Sequence, residues 1–143
     1  MIRTLHQKLL NKEMTSVQLT EEHFDAIEKR DGDIGAYLTL TKESALQAAH
    51  EIDERIRRGE PLDLLAGIPC AIKDNMCMTG VRTTAASKIL DNYIAPYDAT
   101  VVKELRDVGS IILGKTNMDE FAMGSSTESS AYQKTKNPRD TDR

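Results

Sequence analysis

Leu65-Ala66-Gly67-Ile68-Pro69-Cys70-Ala71-Ile72-Lys73-Asp74-Asn75 is the stretch on which the fold turns. It is short and apolar up to Ile72, as a buried strand is, and too short for a core helix. A second such run follows in Ser110-Ile111-Ile112-Leu113. Between the two lie a loop with Gly80, a run of Thr, Ala and Ser, and a helical stripe of Val101, Val102, Leu105 and Val108. Asp98 can cap that helix and Gly109 closes it. A strand, a helix and a strand in this order predict a crossover unit with parallel pairing, and so an α/β fold.

Upstream, the sequence reads as helices. Ile2, Leu5, Leu9 and Leu10 recur at helical spacing. Thr15 and Gln18 have the spacing of a capping box, in which hydroxyl and amide each take up a free backbone N–H. The helix they open carries Leu19, Phe24 and Ile27 and is expected to stop at Asp31-Gly32. Ala36–Leu40 is a short extended piece. A third helix, capped by Thr41, carries Ala45, Leu46, Ala48, Ala49, Ile52 and Ile56 on one stripe. Arg55, Arg57 and Arg58 lie near its end, where the dipole favours positive charge, and Gly59 and Pro61 terminate it. The chain thus divides into a helical segment, residues 1–62, and the first part of an α/β core, residues 63–143. After Phe121 the chain turns polar, and residues 137–143 read as a loop in transit. There is no internal repeat.

Composition narrows the function classes. The 143 residues are 39% hydrophobic and 29% charged, an ordinary soluble balance. A net charge of −4 with interleaved signs, and 4% aromatics with no Trp, argue against a nucleic-acid surface. No apolar run reaches signal-peptide or membrane-span length, which makes the cytoplasm the expected location. Cys70 and Cys77 form no disulfide framework and read as reduced thiols. His6, His23 and His50 show no metal spacing, so no metal is assigned.

Gly109-Ser110-Ile111-Ile112-Leu113-Gly114-Lys115-Thr116 matches the phosphate-loop pattern letter for letter. Its context excludes that reading. A helix precedes Gly109, and Ile-Ile-Leu is a strand whose N–H groups, spent in a ladder, cannot cradle a phosphate.

Lys73 follows an apolar strand directly, and strand ends in α/β folds are where sites are built. Partial desolvation there would disfavour the ammonium, leaving a lysine able to act as a general base. Asp74 and Asn75 could orient groups around it. The alternative is a lysine that reaches solvent with Asp74 as a solvated neighbour.

Leu65–Asn75 closely resembles the strand and loop that bear the catalytic lysine of amidase-signature enzymes. The resemblance runs on through residues 83–90 and 98–102. Over Gly114-Lys115-Thr116-Asn117-Met118-Asp119-Glu120-Phe121-Ala122-Met123-Gly124-Ser125-Ser126-Thr127-Glu128 it is similar to one branch of the family, the glutaminase subunits of tRNA-dependent amidotransferases. It implies a mixed sheet covered by helices, here incomplete, and a Ser–cis-Ser–Lys triad in which Lys73 is the lysine. Both triad serines would lie past Arg143. Gly124 and Ser125 would line the substrate pocket, and Ser125, Ser126, Ser129 and Ser130 are not assigned as nucleophile. Asp119 and Glu120 would sit near an ammonia exit, or else form a charge pair at a helix N-terminus. For a whole family member the resemblance implies hydrolysis of glutamine through an acyl-enzyme and passage of ammonia to a partner. There an ATP-activated Glu-tRNA(Gln) becomes Gln-tRNA(Gln). The implied partners are B and C subunits, which would carry ATP, Mg²⁺ and tRNA; no cofactor is implied on this chain. Two other readings stay open: a non-catalytic partner-binding module, and another amidase-signature hydrolase.

Overall fold

Thr15 and Gln18 form the expected capping box. The Thr15 hydroxyl accepts the Gln18 N–H at 3.0 Å, and the Gln18 side chain accepts the Thr15 N–H at 2.9 Å. The computed structural model, which describes residues 1–142, starts from α1 (Ile2–Leu10) and the capped helix α2 (Ser16–Ile34). α2 runs past Gly32 and ends instead at Gly35, in the left-handed region at φ 69°. The Asp31 carboxylate accepts the N–H groups of Ala36 and Tyr37, so it ties down the chain beyond the helix end. A single glycine inside a helix costs only about 1 kcal/mol, less than those contacts return.

β1 (Tyr37–Leu40) and α3 (Lys42–Arg57) follow. Thr41 precedes α3 without capping it by side chain; its hydroxyl donates to the Ile112 carbonyl at 2.9 Å and fixes the helix to the sheet. β2 (Pro69–Lys73), α4 (Thr100–Asp107) and β3 (Ile111–Thr116) form the predicted crossover. β2 begins later than its apolar run, because Leu65–Gly67 forms a turn whose Gly67 N–H donates to the Gly109 carbonyl at 2.9 Å. β2 is half-buried rather than buried, with Ala71 and Lys73 exposed. Asp98 does not cap α4. Ala99 holds that position, and Asp98 accepts the Thr79 N–H and pairs with Arg106, both at 2.6 Å.

The sheet is mixed, in the order β1-β3-β2, with β2 parallel and β1 antiparallel to the central β3. Two apolar clusters cover its two faces. Phe24, Ala45, Ala49 and Ile52 of the helices pack with Ala66, Ile111 and Leu113 on one side. Ile72, Met78, Val102 and Ile112 pack on the other. Segments on both sides of residue 62 therefore share the first core.

β3 is longer than its apolar run, reaching Thr116 through Gly114 and Lys115. The register explains how a lysine is accommodated. Cys70 pairs with Ile112, but Ile72 pairs with Lys115, so β3 carries one extra residue there. By simple alternation Lys115 would share a face with Ile111 and Leu113. The bulge transfers it to the face of Ile72. Gly114 makes the bulge possible, since a Cβ at this position would lie 2.3 Å from the Thr39 carbonyl oxygen.

Candidate active site

Lys73 is the last residue of β2 and stands in register with Thr116, the last residue of β3. The two strands are parallel, so their carboxyl ends open on one side, where sites form in α/β sheets. The structure puts the sequence's lysine at such an end, where it is exposed. Asn75 is exposed beside it.

One residue further on, Asp74 is fully buried and so is Lys115. The Lys115 ammonium donates to Asp74 Oδ1 at 3.0 Å and to Thr83 Oγ1 at 2.9 Å. Asp74 Oδ2 accepts the Thr84 N–H at 2.9 Å and the Thr84 hydroxyl. A buried ion pair persists only when its remaining hydrogen-bonding capacity is met in this way. Burial pulls the Lys115 ammonium below its ordinary value, and the Asp74 carboxylate opposes that pull. This cluster is the part of the site that sequence reading missed. Its one signal was Gly114 inside a strand, since a glycine there often marks a bulge.

The Asp74 main chain is held as firmly. Its N–H donates to the Thr116 carbonyl at 3.1 Å, and its carbonyl accepts the Ala85 N–H at 3.0 Å. Ala85 and Ala86 both lie in the left-handed region, at φ 49° and 54°. That conformation costs an alanine about 1–2 kcal/mol, and surrounding contacts hold it. The Ala86 N–H donates to Thr84 Oγ1, and the Ala85 and Ala86 carbonyls accept the N–H groups of Phe121 and Ala131, each at 2.9 Å. Backbone strain of this kind concentrates at functional sites. Here it joins the Asp74 turn to the polar segment after β3.

That segment is organised by Asp119. Its carboxylate accepts the N–H groups of Thr127, Ser126 and Ser129 at 2.8, 2.9 and 3.2 Å and the Ser129 hydroxyl at 2.8 Å. These donors, Thr127 first, hold the Asp119 carboxyl below its ordinary range. Asp119 is therefore spent on closing its own loop, and Glu120, half-buried, gives its N–H to Ser129 Oγ. Gly124 and Ser125 lie exposed on the loop. A Cβ on Gly124 would meet the Asp119 carboxyl carbon at 2.5 Å, so this glycine is fixed by packing. The hydroxyls of Ser126, Ser129 and Ser130 donate to Glu128, Asp119 and Asn117. Each serves the loop.

Of the two thiols, Cys70 is pushed up to about 11 by burial, which makes it a poor nucleophile at neutral pH. Neither cysteine is in a disulfide. No helix among the described residues is long and apolar enough to cross a membrane.

Comparison with known proteins gives the family. The amidase family model matches residues 18–143. The chain belongs to the amidase-signature family. The A subunit of glutamyl-tRNA(Gln) amidotransferase from Microcystis aeruginosa is 53% identical over 142 residues, which is 99% of this chain and 29% of that protein. The chain thus spans less than a third of the relatives it matches. Among solved structures, a vestigial protein complex bearing on the evolutionary origins of an s-triazine catabolic enzyme superposes with a TM-score of 0.93 at 39% identity, over 96% of this chain and 30% of that one. The corresponding A subunit from Thermotoga maritima gives 0.72 at 38% identity, over 90% and 25%. Lys115 in its strand, with Ile111–Leu113 in the ladder before it, also disposes of the phosphate-loop pattern.

Proposed function

We propose that this chain is the N-terminal part of the glutaminase subunit of a tRNA-dependent amidotransferase, with Lys73 as the lysine of a Ser–cis-Ser–Lys triad. The observation that carries the reading is the 53% identity, across 99% of the chain, to the A subunit of a glutamyl-tRNA(Gln) amidotransferase. The place of Lys73 at a parallel strand end supports it. In this reading the lysine sets the proton state of a bridging serine, which activates a nucleophilic serine; both serines come from sequence beyond these residues. The nucleophile opens glutamine to an acyl-enzyme, releasing ammonia, and water then frees glutamate. Ammonia passes to a partner in a cytoplasmic complex with B and C subunits. That partner holds ATP, Mg²⁺ and tRNA and completes Gln-tRNA(Gln). Gly124 and Ser125 line the approach to the substrate, and Asp119 shapes that wall through its loop. Glu120 stands where ammonia would leave.

A second reading, another amidase-signature hydrolase, draws on the high structural similarity to the s-triazine-related complex. The test is ammonia release by a protein of the relatives' full length that carries these residues, with glutamine and with simple amides. Hydrolysis of glutamine that disappears in Lys73→Ala is the expected result. Turnover of simple amides with glutamine untouched would select the second reading.

A further inference from the structure

Asn117 is the first residue past β3, one position beyond Thr116, the register partner of Lys73. It is buried, and its side chain is fully engaged. The amide nitrogen donates to the Gln133 carbonyl at 2.8 Å and to Thr135 Oγ1 at 3.0 Å, and the amide oxygen accepts the Ser130 hydroxyl at 2.7 Å. Its main-chain N–H donates to the Ala36 carbonyl at 2.7 Å, just past the end of α2. The Thr135 hydroxyl donates in turn to the Gly35 carbonyl, and the Thr135 N–H to Thr127 Oγ1, both at 2.8 Å. One buried amide therefore joins the end of β3, the end of α2 and the chain that returns from the polar loop. Asp119 gives that loop its internal shape, with bonds that stay inside it. Asn117, with Thr135, attaches the return limb to the rest of the molecule.

We propose that Asn117 is a positioning residue for the substrate wall: it sets where the loop of residues 124–130 stands against the strand ends, and so governs binding of the amide substrate rather than the chemistry on it. The inference rests on the reading that Gly124 and Ser125 line the approach to the substrate. Removing the Asn117 amide strips a partner from Ser130, Gln133 and Thr135 at once. Ser130 and Thr135 are half-buried, and a half-buried polar group that loses its partner turns to water and takes its segment with it. The strand ends do not depend on the same side chain. β2 is held to β3 by the ladder and by the Asp74 N–H on the Thr116 carbonyl at 3.1 Å. The loop is thus free to shift while Lys73 keeps its place.

The test is the split between KM and kcat for glutamine hydrolysis in the assembled full-length enzyme. Asn117→Ala should raise KM about tenfold, as the loss of one or two net hydrogen bonds would, and hold kcat within about twofold. Ser130→Ala removes one of the same bonds from the loop side and should raise KM by about threefold. The double variant should be little worse than Asn117→Ala alone, because the two residues share that bond. A purely structural role would lower kcat or the thermal midpoint and leave KM where it was. An unmoved KM, a kcat that falls as far as KM rises, or single effects that multiply in the double variant each overturn the proposal. If Asn117→Ala loses its thermal transition, the milder Ser130→Ala decides alone: a raised KM with kcat held supports the proposal, and an unmoved KM overturns it. The unmodified enzyme and Lys73→Ala separate the two levels. Glutamine hydrolysis that vanishes in Lys73→Ala, with KM unmoved in the Asn117 and Ser130 variants, refutes this inference alone. An unmodified enzyme that leaves glutamine untouched refutes the underlying reading and the inference with it.

Discussion

A carboxylate that spends every hydrogen bond on one loop should control that loop's order, and Asp119 does so with three N–H donors and one hydroxyl. Charge-assisted bonds to backbone N–H groups are among the stronger ones available to a surface segment. The closed loop lowers the Asp119 carboxyl below its ordinary 3.8, so the open loop binds the proton more readily. The stabilisation is then fully present above 3.8 and is lost as pH falls through the lowered value. Asp119→Asn keeps the shape but removes the charge. We expect amide exchange at Ser126, Thr127 and Ser129 to quicken at least severalfold in that variant at neutral pH. In the unmodified chain the same quickening should come only in acid, below the ordinary carboxylate range. Exchange that is unchanged by the substitution would mean the loop is ordered by other contacts, with Ser130 and Thr135 the next to examine.

Among the elements, β3 decides both the sheet and the site, because it is the only described strand with two partners. Gly114 lies where β1 comes closest, and its replacement by Ala sets a Cβ 2.3 Å from the Thr39 carbonyl oxygen. Backbone on backbone cannot be relieved by a rotamer change. Gly114→Ala should cost about 2 kcal/mol or more through overpacking. Because it loosens the bulge, it should also loosen the Lys115–Asp74 pair. A thermal melt of a full-length protein reads the first effect, and an unchanged midpoint would show that β1 moves aside freely. The same strand shows what sequence can and cannot reveal. Its parallel pairing with β2 followed from two short apolar runs flanking a helical stripe, all of them local patterns. Likewise the capping box at Thr15 needed only three residues of spacing. The burial of Lys115 was not legible, because it depends on a bulge in the pairing of β3 with β2, a contact between segments distant in sequence. Thr41 and Asp98 were misread for the same reason: each has cap chemistry, but a tertiary partner claimed the side chain. Lys73 could be placed at a strand end from its neighbours alone. Its exposure could not, since that depends on which later segments pack over the strand.

At the scale of the molecule, the sheet ends on two strands that each have one partner, and β2 carries the lysine on an open edge. Large apolar side chains also stay uncovered among the described residues: Met123 is 82% exposed and Ile89 79%, with Ile94 and Tyr97 more than half exposed. An unpaired edge and exposed apolar surface each favour association between chains. The relatives are more than three times as long, and their further residues are available to cover both features. The 143-residue chain on its own should therefore self-associate, with light scattering that rises with concentration, and should bind a hydrophobic dye such as ANS. A chain of the relatives' full length should lose both properties. The contrast isolates the cause, because the two proteins share every residue of the first core, where Phe24, Ile52 and Leu113 are already packed without help. If the short chain instead stays monomeric to high concentration and unfolds in one sharp transition, the exposed residues are not sticky as a group. The edge of β2 would then be protected by its own twist and by the charge of Lys73.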